Sequence, residues 1–436
     1  MTNYLRAFYY LSSLMRSAYW ARDKLLEHQN KKLRRIVKFA YDYVPFYHRK
    51  FRQLGLKPSD IRSLKDLNRL PIVRKNEIRK NLDKMISNKF YVKKLQKHST
   101  SGSTGQPLTV FISKDEDYFR KAKHLRANIC CGQRPRDRWV TITSPSHFAE
   151  VTKFQKTLGY YAPTFLSVFA RPARQISIIE KIKPKILDGY SSSLLLLAKE
   201  AKRRGIETIK PKIILGGAEL VDNSSRQFIE EAFDAPFYDQ YAIVELERLA
   251  WQCPEKSGYH IDAETIILQF VNKNGDEVSE GESGEIVCTS LFNYAMPFIR
   301  YAVGDIGVPS DEECPCGRTL PLMKVIEGRK DSLLLLPDSR LLSPRALTIT
   351  MNMFESSRLI EQFRVIQKKT DLFEIWIKKK DDTVDETTIA TKLAAHIRKM
   401  LKIDKYEISF EIKFVEDIPI DRSGKLRAVV SELASS

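Results

Sequence analysis

Apolar residues recur at helical spacing among basic ones at Leu25, Leu33, Ile36 and Val37, and the spacing predicts helix over residues 1–40. Within that stretch, residues 1–20 are rich in Tyr, Leu and Phe with few charges, a pattern that fits a helix packed on its own domain or one lying in a membrane interface. Pro45, Pro58 and Pro71 then divide the chain into short helices and turns. Further on, helix and strand alternate: helix over 115–129, buried strand over 139–143, helix near 172–183, strand over 185–187, helix over 191–204 and strand over 212–215. Alternation of this kind predicts an α/β sheet. Residues 264–305 carry strand signals instead, with 266–271 and 284–289 on either side of an Asn274-Gly275 turn. Near 327–331 the pattern changes again. Segments 363–368 and 372–377 predict a hairpin around Lys369-Thr370-Asp371, followed by a helix over 384–402 and a strand over 406–415. The expected organisation is a large mixed α/β domain over 1–327, a hinge at 328–331 and a small α+β domain over 332–436.

Length and composition narrow the class. At 436 residues the chain has room for two or three domains of about 150 residues each, and 22 Phe with 43% hydrophobic residues supply a large core. No run of about 18 uncharged apolar residues occurs, so no transmembrane helix is expected. Arg6 and Arg16 interrupt the first twenty residues and no small-residue cleavage pattern follows, so a secretory signal is not expected either. Six Cys fall short of a disulfide scaffold and point to a reducing cytoplasm, with Cys130, Cys131 and Cys288 as core thiols. The net charge is +19, and residues 1–98 carry 25 Lys and Arg against 7 Asp and Glu, a net +18. Such a region is a solvated basic face, or it attracts an anionic membrane or an acidic polymer. No nucleic-acid module accompanies it, so nucleic acid is not an expected partner. The expected location is cytoplasmic, with peripheral contact to an anionic membrane through the basic N-terminal region.

Candidate chemistry begins at residues 99–106, Ser-Thr-Ser-Gly-Ser-Thr-Gly-Gln. Glycines let a loop close around an anion, and hydroxyls with backbone N–H groups bind phosphate oxygens. The spacing is not that of a P-loop, and a Ser/Gly run by itself is more often a flexible loop. Four further motifs follow in order: Gly216-Gly217-Ala218-Glu219 after the strand at 212–215, Tyr241-Ala242-Ile243-Val244-Glu245, Tyr301-Ala302-Val303-Gly304-Asp305 after Pro297-Phe298-Ile299-Arg300, and Asp421-Arg422-Ser423-Gly424-Lys425. Together the five resemble an adenylate-forming ligase. Val44-Pro45-Phe46-Tyr47-His48, Leu70-Pro71-Ile72-Val73-Arg74-Lys75 and Ala295-Met296-Pro297 are similar to the phenylacetate–CoA ligase branch, which includes relatives associated with capsule and polysaccharide biosynthesis. The resemblance runs from about residue 40 to 430.

That resemblance implies a large ATP- and acid-binding domain and a small mobile C-terminal lid that swings between two half-reactions. It implies that a carboxylate attacks the α-phosphate of ATP and pyrophosphate leaves. Thr100, Ser101, Gly102, Ser103, Thr104 and Gly105 would cradle the outer phosphates, and Glu245 would hold Mg²⁺. Gly217, Ala218 and Glu219 would border the nucleotide, Tyr241 would face adenine, and Asp305 with Arg329 would meet the ribose. Lys425 would neutralise charge growing at the α-phosphate. CoA is the implied acceptor, with a glycan or an amine as the other expected class. Ser144, Pro145, His147, Phe148 and Tyr238 are candidates for the acid pocket. Ala242 and Val244 stand where the family usually has Gly and Thr, and Val244 offers no hydroxyl to the phosphate. The alternative reading is therefore a nucleotide-binding protein on a degenerate ligase fold. Independently of the resemblance, Cys253, His260, Cys314 and Cys316 form a set that can close a tetrahedral structural Zn²⁺ site, although the spacing is not that of a zinc finger. Unrelated buried thiols are the plainer reading of the same residues.

Overall fold

The computed structural model describes residues 4–99, 108–329, 334–338, 341–342, 344–380, 385–401, 403, 407–419 and 427–433. The basic N-terminal region is helical: α1 (Tyr4–Ser17), α2 (Arg22–Tyr43), α3 (Pro45–Gln53), α4 (Lys75–Lys80) and α5 (Leu82–Met85). The helix expected over 1–40 is interrupted at residues 18–21. There Thr319 N–H donates to the Ala18 carbonyl at 3.0 Å and its hydroxyl donates to the Trp20 carbonyl at 2.5 Å, so a tertiary contact takes acceptors a continuous helix would use itself. The buried face of α2 is Leu25, Gln29, Leu33, Ile36, Val37 and Ala40, which contains the predicted apolar set.

A hairpin of β1 (Gln96–Ser99) and β2 (Thr109–Ile112) precedes α6 (Lys114–Cys130). The parallel part of the main sheet is built from β3 (Trp139–Thr143), β4 (Pro163–Ser167), β5 (Ile186–Tyr190), β6 (Ile213–Gly217) and β7 (Phe237–Ile243). Its connections carry α7 (Lys153–Leu158), α8 (Pro172–Ile182), α9 (Ser191–Arg203) and α10 (Asn223–Phe233). The apolar faces of α8, α9 and α10 pack with apolar residues of the strands into one core, as a sheet covered by crossover helices requires. Antiparallel strands extend the sheet: β8 (Glu247–Gln252), β9 (Tyr259–Ile261), β10 (Ile266–Val271), β11 (Gly284–Ser290), β12 (Tyr301–Ser310) and β13 (Leu322–Arg329). The full order is β10-β11-β12-β13-β9-β8-β7-β6-β5-β3-β4, eleven strands in a single mixed sheet.

The small domain opens with β14 (Leu334–Leu335), β15 (Leu341–Leu342) and α11 (Pro344–Asn352). Its four-stranded sheet joins β16 (Ile360–Lys369), β17 (Leu372–Lys379), β18 (Ser409–Phe414) and β19 (Val429–Ser431) in the order β18-β17-β16-β19, with α12 (Glu386–Leu401) on one face. Leu334, Leu347, Val365, Ile375, Leu393 and Val429 share a core separate from those of the large domain. The expected α/β and α+β division, including the hairpin about Lys369-Thr370-Asp371, matches these elements. No helix among the described residues is long and apolar enough to cross a membrane.

Candidate active site

In open α/β sheets, ligands bind beyond the carboxyl ends of the parallel strands. Here a cleft of about 2040 Å³ lies at that edge and reaches the small domain. Two glycines show why β6 ends as it does. A Cβ on Gly216 would stand 1.9 Å from the Phe237 ring, and one on Gly217 would stand 2.6 Å from the Gln240 carbonyl. Both positions therefore need glycine for packing against β7, in addition to bordering the cleft. Ala218 follows in the left-handed region at φ 64°, where a non-glycine residue is strained. The Glu219 carboxylate accepts the Ser192 N–H at 2.9 Å, which ties this turn to the start of α9.

Tyr241 and Asp305 are brought together. The Tyr241 hydroxyl donates to Asp305 Oδ2 at 2.6 Å, and both residues line the cleft. The register of β12 and β13 sets Arg329 opposite Asp305. Glu245 is 4% exposed. Its Oε1 accepts the Tyr301 hydroxyl at 2.7 Å and lies 3.3 Å from Lys75 Nζ. Buried carboxylates need such partners, and a single carboxylate with water and phosphate oxygens is the setting that Mg²⁺ prefers. The donor set thus fits the cation expected there. Ser99 pairs with Thr109 across the hairpin. Thr100, Ser101, Gly102, Ser103, Thr104 and Gly105 lie outside the described residues, as does Lys425.

Helix α6 supplies what the sequence reading missed. Its N-terminus is closed by Ser113, whose side chain accepts the Glu116 N–H, while Glu116 returns a carboxylate to Ser113 N–H. The helix then buries a charged face at helical spacing: Glu116, Arg120, Lys123 and Arg126. Arg120 donates to the carbonyls of Val244 at 2.7 Å and Glu245 at 3.1 Å, and Lys123 donates to that of Leu246 at 3.4 Å. Two cations thereby fix the backbone of the loop that presents Glu245. Arg126 joins Asp262 and Glu264, and Trp251 donates to Asp262 at 2.8 Å. Burial lowers the Lys123 ammonium to about 8 against the opposing pull of Asp262 and Glu247.

The floor of the cleft is polar. Arg248, opposite Ala242 in the β7–β8 register, is 2% exposed, and its guanidinium lies 2.9 Å from His124 Nδ1. The same nitrogen lies 3.1 Å from Glu247, and the His124 ring stacks on Trp139. Burial resists ionisation of Glu247, but the His124 hydrogen bond with Arg120 and Arg248 holds it well below the usual carboxylate range. Burial raises Asp188 in turn, against His124 and Arg248. Of the proposed acid-pocket residues, His147 and Phe148 line the cleft, and His147 Nδ1 lies 3.0 Å from the Tyr190 hydroxyl. Ser144, Pro145 and Tyr238 are not among its lining residues.

A second constellation assembles on the far strands. Cys253 leaves β8, His260 lies on β9, and Cys314 and Cys316 sit between β12 and β13. The pairing of Leu322 with His260 draws the two pieces together. All four ligand atoms fall within 4.8 Å of one another, with Cys253 and Cys314 sulfurs 3.5 Å apart and Cys316 Sγ 3.3 Å from His260 Nε2. A tetrahedral zinc with three thiolates and one imidazole has edges of about 3.5–3.8 Å, so the residues fit the metal. Without it, burial pushes the Cys253 thiol up to about 12 and the His260 imidazole down to about 4.

The fold is one that solved acyl-CoA ligases share. The chain is 28% identical over 325 residues to the phenylacetate–coenzyme A ligase of Thermus thermophilus, covering 72% of each protein. It is 29% identical over 336 residues to that of Escherichia coli, covering 72% of this chain and 73% of that one. Protein CapK of Staphylococcus aureus is 24% identical over 437 residues, 94% of this chain and 90% of that protein. Among solved structures, 2-hydroxyisobutyryl-CoA ligase in the postadenylation state, in complex with an acyl-AMP, superimposes with a TM-score of 0.79 at 20% identity, covering 95% of this chain and 91% of that one. The thioesterification state of the same enzyme gives 0.64. No family model matches the chain. The chain is thus similar to the phenylacetate–CoA ligases along most of its length and shares the fold of solved acyl-CoA ligases.

Proposed function

We propose that the enzyme activates a small carboxylic acid with ATP, releasing pyrophosphate and forming an acyl-adenylate, and then transfers the acyl group to the thiol of CoA. The observation that carries the reading is the convergence on one strand-end cleft of the Tyr241–Asp305 pair and the Tyr301–Glu245–Lys75 cluster. Tyr241 and Asp305 would hold adenosine, the ring by its face and the ribose hydroxyls by the carboxylate, with Arg329 beside Asp305. Gly217, Ala218 and Glu219 would border the base, and the Ser/Gly run from Thr100 to Gly105 would hold the β- and γ-phosphates. Glu245 would hold Mg²⁺, which neutralises phosphate charge when bound. Lys75 stands close enough to share that task, or to balance Glu245 before nucleotide arrives. Lys425 would meet charge developing at the α-phosphate. The names of the relatives support CoA as acceptor.

The test is product analysis. With ATP, Mg²⁺, CoA and a panel of acids, the enzyme is expected to yield AMP and a thioester detected by mass. ADP and phosphate as products, or AMP with no dependence on an acid, would sink the proposal.

We also propose that the Cys253, His260, Cys314 and Cys316 cluster binds a structural zinc that pins the β8–β9 corner to the β12–β13 loop. Metal analysis should return one zinc per chain, and Cys314→Ser should lower both zinc content and the thermal midpoint, the latter by about 5–10 °C. Full-length protein that is metal-free yet melts unchanged in chelator would refute this.

A further inference from the structure

Asp188 lines the cleft, yet neither the nucleotide nor the metal reading uses it. It stands in the middle of β5, which lies inside the parallel part of the sheet between β3 and β6. The other residues of β5 are buried, and Asp188 is half-buried. Strands of a parallel sheet are normally covered on both faces, so a mid-strand carboxylate with an open side marks a space kept for a polar group. Thr141 on β3 donates to Asp188 Oδ2 at 3.2 Å, and the Trp139 indole stands near it. A carboxylate offers about four acceptor positions, so these two neighbours leave it short of donors. His124, its side chain 33% exposed, walls the same space from α6 and stacks on Trp139.

Depth and charge decide what fills that space. Asp188 is opposite Leu215 in the β5–β6 register, two residues before Gly217. At about 3.3 Å per residue and about 4.8 Å between strands, it lies roughly 8 Å in from the Gly217 edge that would border the nucleotide. A small acid with its carboxylate at that edge brings its far end to Asp188. A hydrocarbon end would strip Asp188 and His124 of water and give them no partner, which is costly. An ionic end fits no better. The carboxylates of Asp188 and Glu247 are already balanced by Arg120, 3.7 Å from Glu247, and by Arg248, which favours the charged form of both. A hydroxyl is neutral and supplies the donor that Asp188 lacks. We infer that the acid carries a hydroxyl at the end remote from its carboxylate, and that Asp188, oriented by Thr141, selects for it. The inference rests on the adenylation reading for the position of the carboxylate.

Matched pairs of acids test it: para-hydroxyphenylpropanoate against phenylpropanoate, and ω-hydroxyhexanoate against hexanoate. Each acid is titrated into the full chain by calorimetry and assayed separately for ATP–pyrophosphate exchange. The hydroxylated member of at least one pair is expected to bind about 10–100-fold more tightly than its partner. Asp188→Asn keeps the shape and an acceptor but loses the charge, so the preference should shrink in it. In Asp188→Leu it should vanish, with melting curves certifying both folds. Two results would overturn the inference: no preference for the hydroxylated acid in either pair, or a preference undiminished in the folded Asp188 variants. The two readings fail separately. A hydroxyl preference in binding without any exchange would keep the pocket and sink adenylation, and exchange without a hydroxyl preference would do the reverse.

Discussion

Glu245→Gln is expected to slow acid-dependent ATP–pyrophosphate exchange by about 10²–10³-fold while leaving the thermal midpoint nearly unchanged. The substitution keeps the shape of the side chain and removes its charge. The Tyr301 hydroxyl at 2.7 Å can still donate to the amide oxygen. Lys75 loses its ionic partner but is partly exposed, so water can take over and little stability is at stake. The loop itself is held through its backbone by Arg120 and Lys123, which the substitution does not touch. What disappears is the buried anion that would hold a hard divalent cation beside the phosphates. Exchange rates of wild type and variant at saturating Mg²⁺, read beside their melting curves, check this. A variant that retains full exchange would move the metal site away from Glu245.

Arg126→Met is expected to cost about 3–5 kcal/mol of folding stability. Arg126, Asp262 and Glu264 are buried, and Ser17 and Trp251 complete their hydrogen bonding at 2.9 and 2.8 Å. Methionine fills similar volume but leaves two carboxylates facing one another, with Lys123 3.8 Å from Asp262 as the remaining cation. The penalty is the uncompensated buried charge rather than lost packing. Urea unfolding of Arg126→Met alone and with Asp262→Asn and Glu264→Gln separates the two. Partial recovery in the triple variant is the expected result, and a further loss would show that shape dominates. Because Ser17 ends α1, the single variant should also loosen α1 from α6.

The motifs were legible because each couples rare residue types to a strand end or a tight turn. Gly216 and Gly217 close the apolar strand β6, Tyr241 lies near the end of β7, and the sheet delivers all three to one edge. The Cys and His set was legible from ligand chemistry despite its irregular spacing, since the β9–β13 pairing closes a gap that sequence distance hides. Lys75, Arg120, His124 and Arg248 were not read. On a helix, Arg120, Lys123 and Arg126 resemble a solvated basic face, and long charged side chains are seldom fully buried. Their partners, the carbonyls of Val244 and Leu246 and the carboxylate of Asp262, lie more than a hundred residues along the chain. The spacing of the three, one face of a helix that also carries Glu116, was the available signal. The break at residues 18–21 was hidden for a similar reason, because the acceptors it frees are taken by Thr319.

ATP–pyrophosphate exchange in the absence of any acyl acceptor, measured across a panel of carboxylic acids, tests the central claim most directly. Exchange that requires both an acid and Mg²⁺ and falls away in Glu245→Gln is the predicted result. A protein that binds ATP yet exchanges no label with any acid would contradict it.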